Sequence, residues 1–385
     1  MQECYLPTGN EWVSLPTLQA RTGALESFSF LHMGYKGLIE QRGGASLPLM
    51  TPFFETEGER ASLQSLTWGR KSDWIPTFCG TAGSLAVEGM LLAPVGERGF
   101  LYQLTVRSTS DKPLSSTFGL EGCWASAWHC VNEDKEIDGA RRCYTSLWND
   151  SLIFDMRCGL PLFAFAPMMD QPCSSTFQET DAGIVYRLAH ACTLEPGEAV
   201  TVTFYWGVGF EEVAAATSAK EMLRQGWQHE LQVTTDWLDA RRWPIPDAQL
   251  ERLYNTNLFF CLFYSAGITL DTEELVLVTS RSPRYYVSAA YWDRDSLLWS
   301  FPTVVDADPA LARRMLDYVF GRQRRNLGVH SRYIDGTVLE PGFELDELMA
   351  PVLALERYVG ATGDRDCLED NAIRSGLTDI LRTLR

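Results

Sequence analysis

The stretch Tyr291-Trp292-Asp293-Arg294-Asp295-Ser296-Leu297-Leu298-Trp299 sets three adjacent charges inside an aromatic frame. A guanidinium beside a carboxylate offers fixed donors next to fixed acceptors, the combination that neighbouring hydroxyls of a polyol require. Trp292 and Trp299 could supply apolar faces on which a pyranose ring stacks. The same residues admit a purely structural reading, in which Asp295 caps a helix and Arg294 pairs with Asp293 at the surface.

A second run, Gly328 to Pro351, is equally dense in polar groups, with His330, Arg332, Tyr333, Asp335, Glu340, Glu344, Asp346 and Glu347. Acidic residues at a helix start are favoured by its dipole, so Glu344, Asp346 and Glu347 have a structural reason to be there. Glu344 and Glu347 fall on one helical face with Glu340 nearby. Glu340 and Glu347 are therefore the in-chain candidates for a pair of catalytic carboxylates, retaining or inverting, against the alternative of helix capping. The spacing of His330 and Arg332 matches no metal-ligand pattern. None of the ten cysteines has the short paired spacing of a zinc site. No Gly-rich phosphate loop follows a strand. Neither a metal nor a cofactor is expected.

Those two runs must be held by surrounding elements, and the chain changes character along its length. Residues 1–210 read as strands, among them 84–95, 99–108, 151–158, 183–194 and 198–210. They are rich in β-branched and aromatic residues and separated by turns such as Glu195-Pro196-Gly197. A series of strands without intervening helices predicts an antiparallel β-sandwich. Near residue 211 the apolar period becomes helical, and 211–246 reads as a helical linker. From 247 to 385 helices dominate. Asp247 and Asp308 are the expected N-caps, Pro309 the first residue of its helix, and Gly360 a C-cap. Leu368, Ala372, Leu377, Ile380 and Leu384 are expected to form the buried stripe of the last helix.

Bulk properties narrow the ligand classes. With 385 residues the chain reads as more than one domain. A net charge of −17 argues against nucleic acid and against an anionic membrane surface, while a neutral carbohydrate is compatible with it. No basic start is followed by an apolar run, and no stretch approaches a membrane span. The cysteines are then expected to be reduced thiols in a cytoplasmic protein.

The segment 285–302, YYVSAAYWDRDSLLWSFP, resembles the arginine–aspartate segment of the six-hairpin, (α/α)6-barrel glycosidases, especially bacterial glucoamylases and their debranching relatives. FELDELMAPVLAL is similar to a helix start of the same enzymes, with Glu344 where they usually carry Gln. The resemblance is motif-specific over 286–356 and architectural before 245. It implies that Arg294 and Asp295 hold a terminal glucose-like unit, with Trp292 beneath it and Asp346 and Glu347 on the opposite rim. It also implies inverting hydrolysis, in which one carboxylic acid protonates the glycosidic oxygen and a second carboxylate activates water.

The family's acid and base lie later in the barrel, and the residues after Asp247 are too few for twelve helices of about 11–14 residues each. The expectation is thus a β-sandwich, a helical linker and about half of an (α/α)6 toroid, C-terminally truncated, with the acid and base beyond Arg385. The exposed inner helix faces of a half barrel would offer a surface for self-association. Three functions fit: an exo-acting glycoside hydrolase, a disaccharide phosphorylase of the same architecture, and a non-catalytic carbohydrate-binding or assembly protein.

Overall fold

The computed structural model describes residues 6–147, 149–158 and 160–385. They divide into two compact units. The first comprises residues 6–29, with Glu40–Trp128 and Glu136–Trp237, and the second Phe30–Ile39, His129–Lys135 and Leu238–Arg385.

The first unit is built on antiparallel strands. An eight-stranded sheet runs in the spatial order Ala140–Thr145, Leu152–Cys158, Leu160–Met169, Ala199–Gly209, Gly99–Ser108, Leu85–Leu92, Ile75–Ala82 and Leu63–Lys71. A five-stranded sheet contains Ser174–Thr180, Gly183–Leu194, Leu114–Trp124, Thr51–Thr56 and Glu59–Ala61. The period-2 alternation sorts the faces. Val202, Phe204, Trp206 and Val208 point one way and are buried. There they meet an aromatic cluster contributed by different sheets: Trp124 lies edge-on to Phe165 at 5.0 Å, and Tyr186 edge-on to Trp206 at 5.6 Å. Leu63–Lys71 and Ser174–Thr180 are polar strands with little apolar alternation, and sequence reading passed over both.

On the other face of the eight-stranded sheet lies helix α1 (Glu212–Gln225), followed by α2 (Trp227–Asp239). α1 approaches closely because its facing residues are Ala214, Ala215 and Ala219 and the strand beneath carries Gly207 and Gly209. A Cβ on Gly207 would stand 2.1 Å from the Ala215 carbonyl oxygen. The segment expected to be a linker is thus helical, and up to Trp237 it belongs to the first unit.

The second unit holds α3 (Ala248–Tyr264), α4 (Phe301–Ala307), α5 (Pro309–Tyr318), α6 (Leu345–Thr362) and α7 (Asn371–Thr383). Asp247 caps α3, accepting from the Gln249 and Leu250 amides at 2.9 Å, and Asp308 caps α5 through the Leu311 amide at 2.9 Å. Two expectations about the ends of helices are corrected. Gly360 lies inside α6, which runs to Thr362 and is closed by Gly363 at φ 73°, a left-handed conformation that glycine adopts without steric cost. In α7 the buried residues are Ile373, Gly376 and Ile380, whereas Leu368 and Leu384 are exposed. Of the expected stripe Ile380 is fully buried as read, Ala372 and Leu377 are only partly buried, and Ile373 and Gly376 take the inner positions beside them.

No helix among the described residues is long and apolar enough to cross a membrane. The nine described cysteines are free thiols, and Cys4 lies outside the described residues.

Candidate functional site

Two loops of the second unit are brought together by backbone pairing. Tyr291 and Arg332 exchange amide-to-carbonyl hydrogen bonds of 2.9 and 3.0 Å. Tyr291 lies two residues before Asp293, the first of the charged triplet. Arg332 lies in a two-stranded hairpin, Val329–Arg332 with Val338–Phe343, that leads into α6. The charged triplet therefore faces the acidic start of α6.

Arg294 stands at the centre of this junction. Its Nη1 donates to Glu344 Oε2 at 3.0 Å and to Asp346 Oδ2 at 2.8 Å. Its Nε lies 3.4 Å from Asp295 Oδ2, and its Nη2 lies 3.5 Å from Glu347 Oε1. The Arg294 backbone amide donates to Glu347 Oε2 at 3.2 Å. Four carboxylates around one guanidinium hold its charge firmly, and the Asp346 hydrogen bond is the largest contributor. That same bond holds Asp346 below the usual carboxylate range. Burial pushes Asp295 up, and Arg294 offsets part of the shift.

Glu347 differs from its neighbours. Its side chain has 0% exposure, and Oε1 has no hydrogen-bond partner among the described residues. Burial, followed by the nearby Asp293 charge, pushes its pKa up to about 8. The carboxyl group is tucked behind Arg294, where burial favours its neutral form and the guanidinium its charged one.

Both parts of the capping alternative are corrected. Asp295 does not cap: the helical turn begins at Asp293 and continues through a π-helical segment, Asp295–Ser300, into α4. A wide π turn of this kind re-aims side chains at its start. Arg294 does not pair with Asp293, because Asp293 is buried and bonded to Arg332 and, at 2.5 Å, to the Tyr291 hydroxyl. Trp292 is nearly buried, edge-on to His330 at 5.7 Å, with its indole N–H unpartnered among the described residues. Trp299 is 62% exposed.

The hairpin charges are linked in their own network. His330 Nδ1 lies 2.8 Å from Glu344 Oε1, and its Nε2 lies 3.6 Å from Glu340 Oε2. Glu340 also accepts from Ser331 Oγ at 3.0 Å and from Asn132 Nδ2 at 3.3 Å. Asn132 and Lys36, which binds Asp335 at 3.0 Å, come from the two early segments that belong to this unit. Sequence reading missed both, because nothing in their local composition marks a partner some 200–300 residues away. The Asp293–Arg332 pair was legible only as two separate charges.

The chain is similar to two solved structures over nearly its whole length. One is described as a kojibiose phosphorylase from the human microbiome, with TM-score 0.60 and 11% identity, covering 96% of this chain and 55% of that protein. The other is a bacterial glucoamylase complexed with acarbose, with TM-score 0.57 and 11% identity, covering 99% of this chain and 59% of that enzyme. The fold is that of the glucoamylase-like six-hairpin glycosidases. No protein-family model and no curated protein matches the sequence. The chain spans little more than half the length of these glucoamylase-like structures. The segment that resembles the glucoamylase-like motif, 286–356, is the one that builds the Arg294 junction.

Proposed function

We propose that the Arg294 junction binds the terminal glucose-like unit of a neutral oligosaccharide or glycoside. On this reading the whole protein acts on O-glycosidic bonds as an exo-acting, inverting glycoside hydrolase. The observation that carries it is the arrangement around Arg294. A half-exposed guanidinium is flanked by Asp346 and Glu344, whose carboxylates are also solvent-accessible. Adjacent hydroxyls can accept from the first and donate to the other two. Carboxylates outnumber cations here, which suits an uncharged polyol and disfavours an anion.

Within this reading Asp295 holds the Arg294 side chain, and buried Glu347 holds its backbone. Trp292 forms the apolar base through its contact with His330. Helices α3 to α7 would form part of an (α/α)6 toroid. Glu340 and Glu347 are poor candidates for the acid and base. Glu347 has no access to a substrate, and Glu340 is engaged by Ser331 and Asn132. Phosphorolysis is the second reading, supported by the likeness to a structure described as a phosphorylase. Phosphate would then need a site away from these carboxylates.

The test is calorimetric titration of the purified chain with acarbose and maltose. Charge-assisted hydrogen bonds of about 1.5–3 kcal/mol make Arg294→Ala weaken binding by roughly 10–100-fold. Arg294→Lys should recover only a small part, because a point charge cannot replace the fork. Unchanged affinity in a folded Arg294→Ala protein would overturn the assignment. Turnover of an aryl glucoside with and without phosphate separates hydrolysis from phosphorolysis.

A further inference from the structure

The face of the eight-stranded sheet that carries α1 is only partly covered. α1 lies over its glycine-bearing strand, Ala199–Gly209, and over the neighbouring Leu160–Met169. Beyond it, across Gly99–Ser108 to Leu63–Lys71, the face is a groove of about 520 Å³ walled on one side by Trp227 and Leu231 of α2. That volume is in the range of small-ligand sites.

Strand register explains what the groove presents. Gln103 is paired with Met90, and Met90 with Thr77; one step along, Thr105 is paired with Glu88. Residues paired in this way share a face, so the floor is a ladder of hydroxyl, amide and carboxylate groups around one thioether. Lys71 at the rim supplies a strong donor and Glu88 a strong acceptor, and neither is held in an ion pair among the described residues. Donors and acceptors are thus interleaved without a net excess of either charge. An aromatic wall stands beside them.

Trp227 also lines an adjoining groove of about 580 Å³ that includes Thr201. The two grooves neighbour each other on the sheet: Thr105 of the first and Thr201 of the second are paired, with their Oγ1 atoms 2.8 Å apart, and Trp227 lines both. Two neighbouring grooves of mixed polarity that share a tryptophan match an extended chain of uncharged hydroxylated rings. Each ring has an apolar face for the indole and an edge of hydroxyls for the ladder.

We propose that this groove is a second carbohydrate-binding site, separate from the Arg294 junction, which takes several units of a neutral oligosaccharide across Trp227. Trp227 is the stacking residue, and Gln103 and Glu88 are the principal hydrogen-bonding residues. The proposal does not depend on the function assigned to Arg294.

The experiment titrates the whole chain with maltoheptaose, isomaltohexaose and cellohexaose, in the parent and in an Arg294→Ala background. In that background at least one of the three sugars still binds, and Trp227→Ala or Gln103→Ala weakens this binding by at least tenfold. Trp227→Ala keeps the backbone amide that donates to the Tyr205 hydroxyl at 3.0 Å, so the anchor of α2 is preserved. If Trp227→Ala fails to fold, Gln103→Ala and Glu88→Ala decide. The proposal is overturned if none of the three sugars binds, if Arg294→Ala alone abolishes all binding, or if binding survives the groove substitutions unchanged. Loss of acarbose binding in Arg294→Ala with retained oligosaccharide binding would support both sites independently.

Discussion

Arg332 and Asp293 form an ion pair in which neither side chain has any solvent exposure. Burial works against the charge on Arg332, and its surroundings, with Asp293 first among them and Tyr291 and Glu347 adding to it, more than offset that cost. The guanidinium also donates to the Gln323 carbonyl at 3.2 Å and lies 4.9 Å from the centre of the Tyr291 ring. The pair therefore joins the segment that carries Arg294 to the hairpin that leads into α6. Removing one member leaves the other charged and buried. Arg332→Met is expected to destabilise the second unit by about 3–5 kcal/mol, whereas Arg332→Met combined with Asp293→Leu should recover much of that loss. Urea unfolding of the three proteins checks this. A single variant as mild as a surface substitution would refute it.

The strand-rich first half, the helical second half and the caps at Asp247 and Asp308 were legible because each rests on local chemistry: alternation, period and a side-chain oxygen before a helix. The roles of Arg294 and Asp293 were not separable in the same way. Adjacent in the chain, they turn to opposite environments, one toward the acidic start of α6 and the other toward Arg332. Only the backbone pairing of Tyr291 with Arg332 decides which goes where. The end of α6 shows the limit of composition as a guide. Gly360 and Gly363 are both plausible stops, and the helix takes the later one because its chain continues to satisfy intrahelical bonds through Thr362. The early segments 30–39 and 129–135 show the limit of locality, since their place in the second unit depends on distant partners such as Asp335 and Glu340.

Glu347 makes ligand binding at the Arg294 junction pH-dependent. Its pKa of about 8 means that it gains a charge as the pH rises through that value, next to Asp293 and beneath Arg294, with Arg332 the nearest other cation. The new charge competes for the Arg294 guanidinium and draws it away from the accessible face. Acarbose affinity in the parent is expected to be flat from pH 6 to 7 and to fall several-fold by pH 9. Glu347→Gln keeps an oxygen for the Arg294 amide and cannot ionise. Its affinity should match the parent within about twofold at pH 6 and stay level to pH 9. Parallel profiles in calorimetric titrations of the two proteins would remove Glu347 as the cause.

Glu230 makes the stability of the first unit depend on pH. It lies in the first turn of α2 with 3% exposure, and its Oε1 has no hydrogen-bond partner among the described residues. Burial, with the charges of Glu97 and Glu221, pushes its pKa up to about 7 from an ordinary 4.5. A raised carboxyl pKa means that the folded form binds the proton more tightly than the unfolded form. Its stabilising contribution is complete below about pH 4.5 and is lost as the pH rises through about 7. Glu230→Gln retains the shape and removes the cost of ionisation. It should raise stability by on the order of 1–3 kcal/mol at pH 8 and change little near pH 4.5. For a unit of this size that corresponds to a Tm increase of roughly 2–4 °C per kcal/mol. Thermal unfolding of parent and variant at the two pH values tests the sign: an equal shift at both would show that the gain does not come from ionisation of Glu230.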